Sequence, residues 1–186
     1  MRRRALAMAA LALLALNGWA GAGDTNATTS IYTLEAPLRS QDARAIGLDV
    51  HRGHPVMVTM FYGSCPMACP LIIDTLRAVE RELTADKRAD LRVLMVSIDP
   101  KRDTPQALAE LAKSRRIDTA RWTLAQADDA TVRKIAAVLG IQYRELPNGE
   151  FSHASIITVL DERGELLAQS AELGRVDARL LEALRR

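Results

Sequence analysis

"FYGSCPMACPLIIDTL", residues 61–76, carries the only two cysteines of the 186-residue chain, Cys65 and Cys69. Each is followed by a proline, and three residues separate them. The stretch leaves an apolar run rich in valine and aromatics, "PVMVTMFY" (55–62), which reads as a buried strand. Pro70 then opens a helical pattern, with Leu71, Ile72, Leu76 and Val79 expected on one face and an end near Leu83. Proline suits a first helical turn because it has no N–H to lose there. Cys69 is therefore expected at the entry of a helix, with Cys65 in the turn before it. Free N–H groups and the positive end of the helix dipole favour thiolates at such a position.

Working outward, the order of elements is that of an α/β protein around a mixed sheet. "LRVLMVSI" (91–98) is a second buried strand, and "DPKRDTP" (99–105) is a loop that ends in a helix start. Asp103 or Thr104 can cap that helix, Pro105 suits its first turn, and it is expected to reach about Ser114. A short strand around Trp122–Ala125 and a helix from Asp129 to Leu139, stopped by Gly140, come next. "ASIITVLD" and "ELLAQS" form a hairpin about Glu162-Arg163-Gly164, and a last helix begins near Val176. Ahead of all this, "IYTLEAPL" and "AIGLDV" are compatible with an N-terminal hairpin.

The first 22 residues have a different character. Three arginines (2–4), an unbroken apolar run of twelve residues (Ala5–Leu16) and Ala20-Gly21-Ala22 follow one another. That order describes a cleavable secretory signal peptide. The run is shorter than the roughly 20 apolar residues of a membrane span; the competing reading is an uncleaved anchor extended through Trp19. Residues 23–186 are then one domain. Removing the leader lowers the formal charge from +2 to −1, so the basic balance belongs to the targeting segment. Neither the charge nor the seven aromatics suggest a grip on nucleic acid. Membrane contact is expected only through a client or an uncleaved leader.

An exported protein lives where disulfides form. A bridge between cysteines four apart closes a very small loop and adds little chain-entropy stabilisation, so a structural staple is a poor use of this pair. Two thiols on one short loop between prolines suit a soft metal ion, and they also suit a dithiol redox couple. A third donor discriminates. His51 and His54, in "HRGHP", read as a polar turn. His153, in "NGEFSHASIITV", precedes a late buried strand. In a thioredoxin-like layout the segment entering that strand lies against the cysteine loop. Thioredoxins place a cis-proline there; this chain places His153 nearby.

"GHPVMVTMFYGSCPMACP", "VSIDPKRDTP" and His153 before "IITVLDERGEL" together resemble the Sco family of copper-binding proteins, in the right order across residues 50–186. The resemblance implies a thioredoxin-like fold, a central mixed sheet flanked by helices. It also implies one copper ion, Cu(I) or Cu(II), held by Cys65, Cys69 and His153. The family assists assembly of the dinuclear copper centre of respiratory oxidases, which implies a periplasmic metallochaperone and a copper-accepting client such as an oxidase subunit. Met67 and Ser152 stand where the family often has acidic residues.

Residue chemistry agrees with that implication: thiolates suit Cu(I), imidazole helps accommodate Cu(II), and three donors leave a position open for a client. Zinc accepts the same three. Met67 is a further soft neighbour, and Asp99 and Asp103 are candidates for orienting a ligand by hydrogen bonds. The alternative is an enzyme, a thiol–disulfide oxidoreductase in which Cys65 attacks and Cys69 resolves, or the reverse, to reduce the cysteines of a copper-accepting client. A peroxidase would need an arginine, Arg102 or Arg144, beside one reactive cysteine.

Overall fold

The computed structural model describes residues 30–65 and 68–186. The leader, its cleavage after Ala22, and Met67 therefore lie outside the described residues.

Three strands, β3 buried throughout and the other two buried except at Arg92 and Gln126, form the centre: β3 (Val56–Phe61), β4 (Arg92–Ser97) and β5 (Trp122–Gln126), after the N-terminal β1 (Leu38–Ser40) and β2 (Ala45–Ile46). β3, β4 and β5 run parallel, with Phe61 opposite Ser97 and Val96 opposite Ala125. Their continuous apolar character follows from helices covering parallel strands. α1 (Ala68–Arg81) packs on β3 and α3 (Pro105–Ser114) on β5, while α2 (Ala85–Asp90) is a short polar helix between β3 and β4 in sequence. α4 (Asp129–Val138) follows β5, and Gly140 at φ +67° turns the chain out of it. A separate two-stranded sheet comes next, β6 (Tyr143–Glu145) with β7 (Phe151–His153). β8 (Ile157–Leu160) and β9 (Leu166–Ser170) then complete the main sheet, and α5 (Ala178–Arg185) packs on both. The strand order is β2-β1-β5-β4-β3-β8-β9, with β1, β8 and β9 antiparallel to their neighbours.

This topology gathers three segments at one end of the sheet. β3 and β4 are parallel and in register, so the cysteine loop after Phe61 and the 99–105 loop after Ser97 leave side by side. β8 is antiparallel to β3 with Ile157 opposite Thr59, so the chain entering β8 arrives at the same end. Thr59 Oγ1 donates to the Ile156 carbonyl at 2.9 Å and fixes that arrival. Open α/β sheets place ligands at the carboxyl ends of their parallel strands for the same geometric reason.

The expected elements are present, with three differences, and α2 and the β6–β7 hairpin are additional to them. α1 starts at Ala68, so Cys69 lies inside its first turn rather than ahead of it. Its buried face is Ile72, Ile73, Leu76 and Val79, whereas Leu71 is 41% exposed. One residue turns a helix by about 100°, enough to carry Leu71 off the face centred on Ile72. The N-terminal hairpin is only Leu38–Ile46, and Ile31–Thr33 is a 3₁₀ turn. Of the two candidate caps, Thr104 is the one that caps α3, its hydroxyl accepting from Ala107 N–H at 3.2 Å.

Candidate metal centre

Cys65 closes the turn after β3, its amide donating to the Tyr62 carbonyl at 3.2 Å. Cys65 and Cys69 are 8% and 1% exposed, and no disulfide joins them. Burial pushes the Cys69 thiol up to about 12, and the neighbouring Cys65 adds to the rise. The helix start therefore does not favour a Cys69 thiolate as expected: loss of water outweighs the dipole once the side chain is sealed inside the first turn.

His153 ends β7, opposite Tyr143, and is half-buried. Its Nδ1 is 3.3 Å from the Ala154 carbonyl. A carbonyl can only accept, so this contact selects the Nδ1–H tautomer and leaves the Nε2 lone pair available to a metal. Burial holds the imidazole below its ordinary pKa, which keeps that lone pair unprotonated.

Tyr62, the residue after β3, links the two carriers. Its ring meets His153 edge to face, centroids 5.8 Å apart, and meets Phe151 at 5.4 Å. Its hydroxyl donates to Glu150 Oε2 at 2.9 Å. The Tyr62 proton is held well above its usual range by burial first, then by hydrogen bonds to Cys65 and Glu150. His153 and Cys65 thus share Tyr62 as a neighbour. Even so, no three His, Cys, Asp or Glu side chains among the described residues close around one point as a metal would require.

The 99–105 loop braces both carriers. Buried Asp103 accepts from the Gly63 amide at 2.8 Å and from the Ser97 hydroxyl, which ties the cysteine loop to the end of β4. Burial raises the Asp103 carboxyl above its ordinary value against the pull of those two donors. A Cβ on Gly63 would stand 2.6 Å from Asp103 Oδ1, so this approach needs glycine. Asp99, also buried, pairs with Arg102, whose guanidinium donates onward to the Gly149 carbonyl. Asp99 and Asp103 thus act on the loops that carry the donors. Arg144 lines a shallow cavity of about 400 Å³ with Ser152 and His153, on the β6–β7 hairpin. His54 pairs with Asp90 at 2.6 Å, in the turn ahead of β3, and His51 lies in the same turn.

Sequence reasoning missed Tyr62, the β6–β7 hairpin and the reach of Arg102. The hairpin had a signal, Asn148-Gly149 between short alternating runs.

A thioredoxin-like sheet with a dithiol turn at the end of β3, one of its three central strands, and a histidine arriving beside it defines the class. The SCO1/SenC family model matches residues 27–186, and the chain belongs to that family. A SCO2-like protein of Rickettsia prowazekii is 30% identical over 77 residues, 41% of this chain and 37% of that protein. The chain thus spans under half of that relative's length. The copper-bound crystal structure of Arabidopsis thaliana ScoI superposes with a TM-score of 0.71 at 16% identity, over 81% of this chain and 94% of that one. BsSco, described with a disulfide switch and as a member of a family of cytochrome c oxidase assembly proteins, gives a TM-score of 0.60 at 20% identity. That match covers 72% of this chain and 78% of BsSco.

Proposed function

We propose that the protein is a copper metallochaperone: it takes one copper ion as cargo on Cys65, Cys69 and His153 and passes it to a client. The observation that carries this reading is the meeting of the dithiol turn and His153 at one sheet end, with Tyr62 touching both. Two soft sulfurs and one imidazole suit both copper oxidation states and leave a coordination position open for a client donor. The copper bound by the Arabidopsis relative and the oxidase assembly named for the BsSco family support the cargo and the client class, a respiratory oxidase subunit that builds a CuA-type centre. Among the described residues no helix is long and apolar enough to cross a membrane. With residues 1–22 as a leader, delivery takes place outside the cytoplasm, in the periplasm, by a single domain of residues 23–186.

The protein's own residues supply three things to transfer. The Asp103–Gly63 contact sets the cysteine turn, the Ala154 carbonyl selects the His153 tautomer, and burial of Cys69 keeps water from its sulfur. The adjacent thiols also support the second reading, reduction of a client disulfide, in which Cys65 is the more exposed and therefore the attacking sulfur. Metal analysis of the reduced and the oxidised protein separates the two. One copper per reduced chain, lost on disulfide formation, supports the chaperone. No copper retained by the reduced chain, with rapid reduction of a model disulfide, supports the reductase.

A further inference from the structure

The β6–β7 hairpin that carries His153 shares no ladder with the main sheet, so something else must fix its position. Two attachments do. One is Tyr62, whose hydroxyl reaches Glu150 and, at 3.4 Å, the Phe151 carbonyl. The other is Arg102. Its Nε is on the Asp99 carboxylate, its Nη2 is on the Gly149 carbonyl at the hairpin turn, and its guanidinium lies over the Phe151 ring, 6.0 Å from the centroid. Asp99 is a firm anchor: it is 2% exposed, and its amide donates to Ser97 Oγ at the end of β4.

We infer that Arg102 is a positioning residue, a latch that holds the hairpin so that His153 stands beside the cysteine turn. This rests on the reading of His153 as a copper ligand. The next residue, Asp103, holds the cysteine turn through Gly63, so consecutive side chains of one loop set the positions of both donors. The latch needs a fork. One edge of the guanidinium faces a carboxylate while another faces a carbonyl, and a lysine ammonium, a point charge on a flexible stem, does not span both.

The test uses Arg102→Gln and Arg102→Lys, with the Asp99→Asn, Arg102→Gln double variant so that no buried carboxylate is left without its cation. The first readout is amide hydrogen exchange on the metal-free protein, which is independent of any copper reading. In all three variants the hairpin amides of residues 143–153 should exchange at least tenfold faster, while those of β3 and β4 stay within twofold of wild type. Unchanged hairpin exchange, or equal acceleration throughout the chain, overturns the latch. The second readout is copper. Cu(II) affinity should fall at least tenfold with an altered visible spectrum, and Cu(I) affinity should change less than threefold. His153→Ala runs alongside. If that variant loses Cu(II) affinity and the Arg102 variants keep it, the latch is overturned. If His153→Ala itself changes nothing, the ligand assignment of His153 falls, and hydrogen exchange still decides the latch.

Discussion

Tyr62 and His153 lie 91 residues apart in sequence, yet their rings meet edge to face at 75° with centroids 5.8 Å apart. The same Tyr62 hydroxyl is hydrogen-bonded to Cys65 and Glu150. One side chain thereby joins the end of β3, the cysteine turn and the histidine hairpin. Edge-to-face ring contacts contribute about 0.5–1.5 kcal/mol beyond burial, and a hydroxyl hydrogen bond adds a net amount near 1 kcal/mol.

Tyr62→Phe should therefore lower unfolding stability by about 1 kcal/mol while keeping the ring contacts. Tyr62→Ala should cost about 3–5 kcal/mol, the range for removing a buried aromatic ring. Urea denaturation of the metal-free protein measures both. Equal losses in the two variants would contradict the separation of hydroxyl from ring.

Gly63→Ala should destabilise by about 1–3 kcal/mol, because the added Cβ meets the Asp103 carboxylate at 2.6 Å and the cost is that of overpacking. The double variant Gly63→Ala, Asp103→Ala should recover part of the loss, since the clash is with that one side chain. A double-mutant cycle without coupling would contradict it.

Glu80 is buried far from the cysteines, where Oε1 accepts from Arg121 at 2.7 Å and from Trp122 Nε1 at 3.0 Å. Glu80→Ala leaves the buried Trp122 indole N–H without its acceptor, while Arg121 keeps Asp118 and the Arg88 carbonyl, and should cost about 1–3 kcal/mol. Copper stoichiometry of the folded variant should stay at the wild-type value. A variant of unchanged stability would mean that the Trp122 N–H finds another acceptor.

Acid should loosen the base of β3. Burial first, then the Arg92 charge, push His51 down to about 4, and its Nε2 has no hydrogen-bond partner among the described residues. An unfolded histidine titrates near 6.5, so between the two values the unfolded chain binds more protons and stability drops as the pH is lowered. The contribution is complete above about pH 6.5 and declines towards pH 4. Melting midpoints at pH 7.5 and 5 should differ less in His51→Gln than in wild type. Identical pH slopes would assign the acid sensitivity to other groups.

How much of this was legible in the sequence follows from the kind of signal each part leaves. The central strands are written as largely apolar runs because helices cover them, and strand order alone brings the cysteine turn and the chain entering β8 to one end of the sheet. α2 left no trace because it buries nothing, so its residues have no period. Leu71 is exposed although the pattern predicts it on the buried face, because a leucine at a helix entry reads as core whether or not a neighbour covers it. The depth of Cys69 was hidden too: spacing and prolines locate a helix start but do not tell how far it sinks. Tyr62 and Arg102 act across 88 and 47 residues, to Glu150 and Gly149, and no local pattern encodes contacts of that range.

The central claim is that Cys65, Cys69 and His153 together hold copper, and the most direct measurement is a copper titration of wild type and His153→Ala, followed by visible absorption. Circular dichroism confirms that both are folded. Wild type should bind one Cu(II) with sulfur-to-copper charge-transfer colour. His153→Ala should lose that colour and bind Cu(II) sharply more weakly, yet keep Cu(I) on its two thiols, which suffice for a soft ion of low coordination number. An unchanged Cu(II) affinity and spectrum in the folded variant would contradict the account.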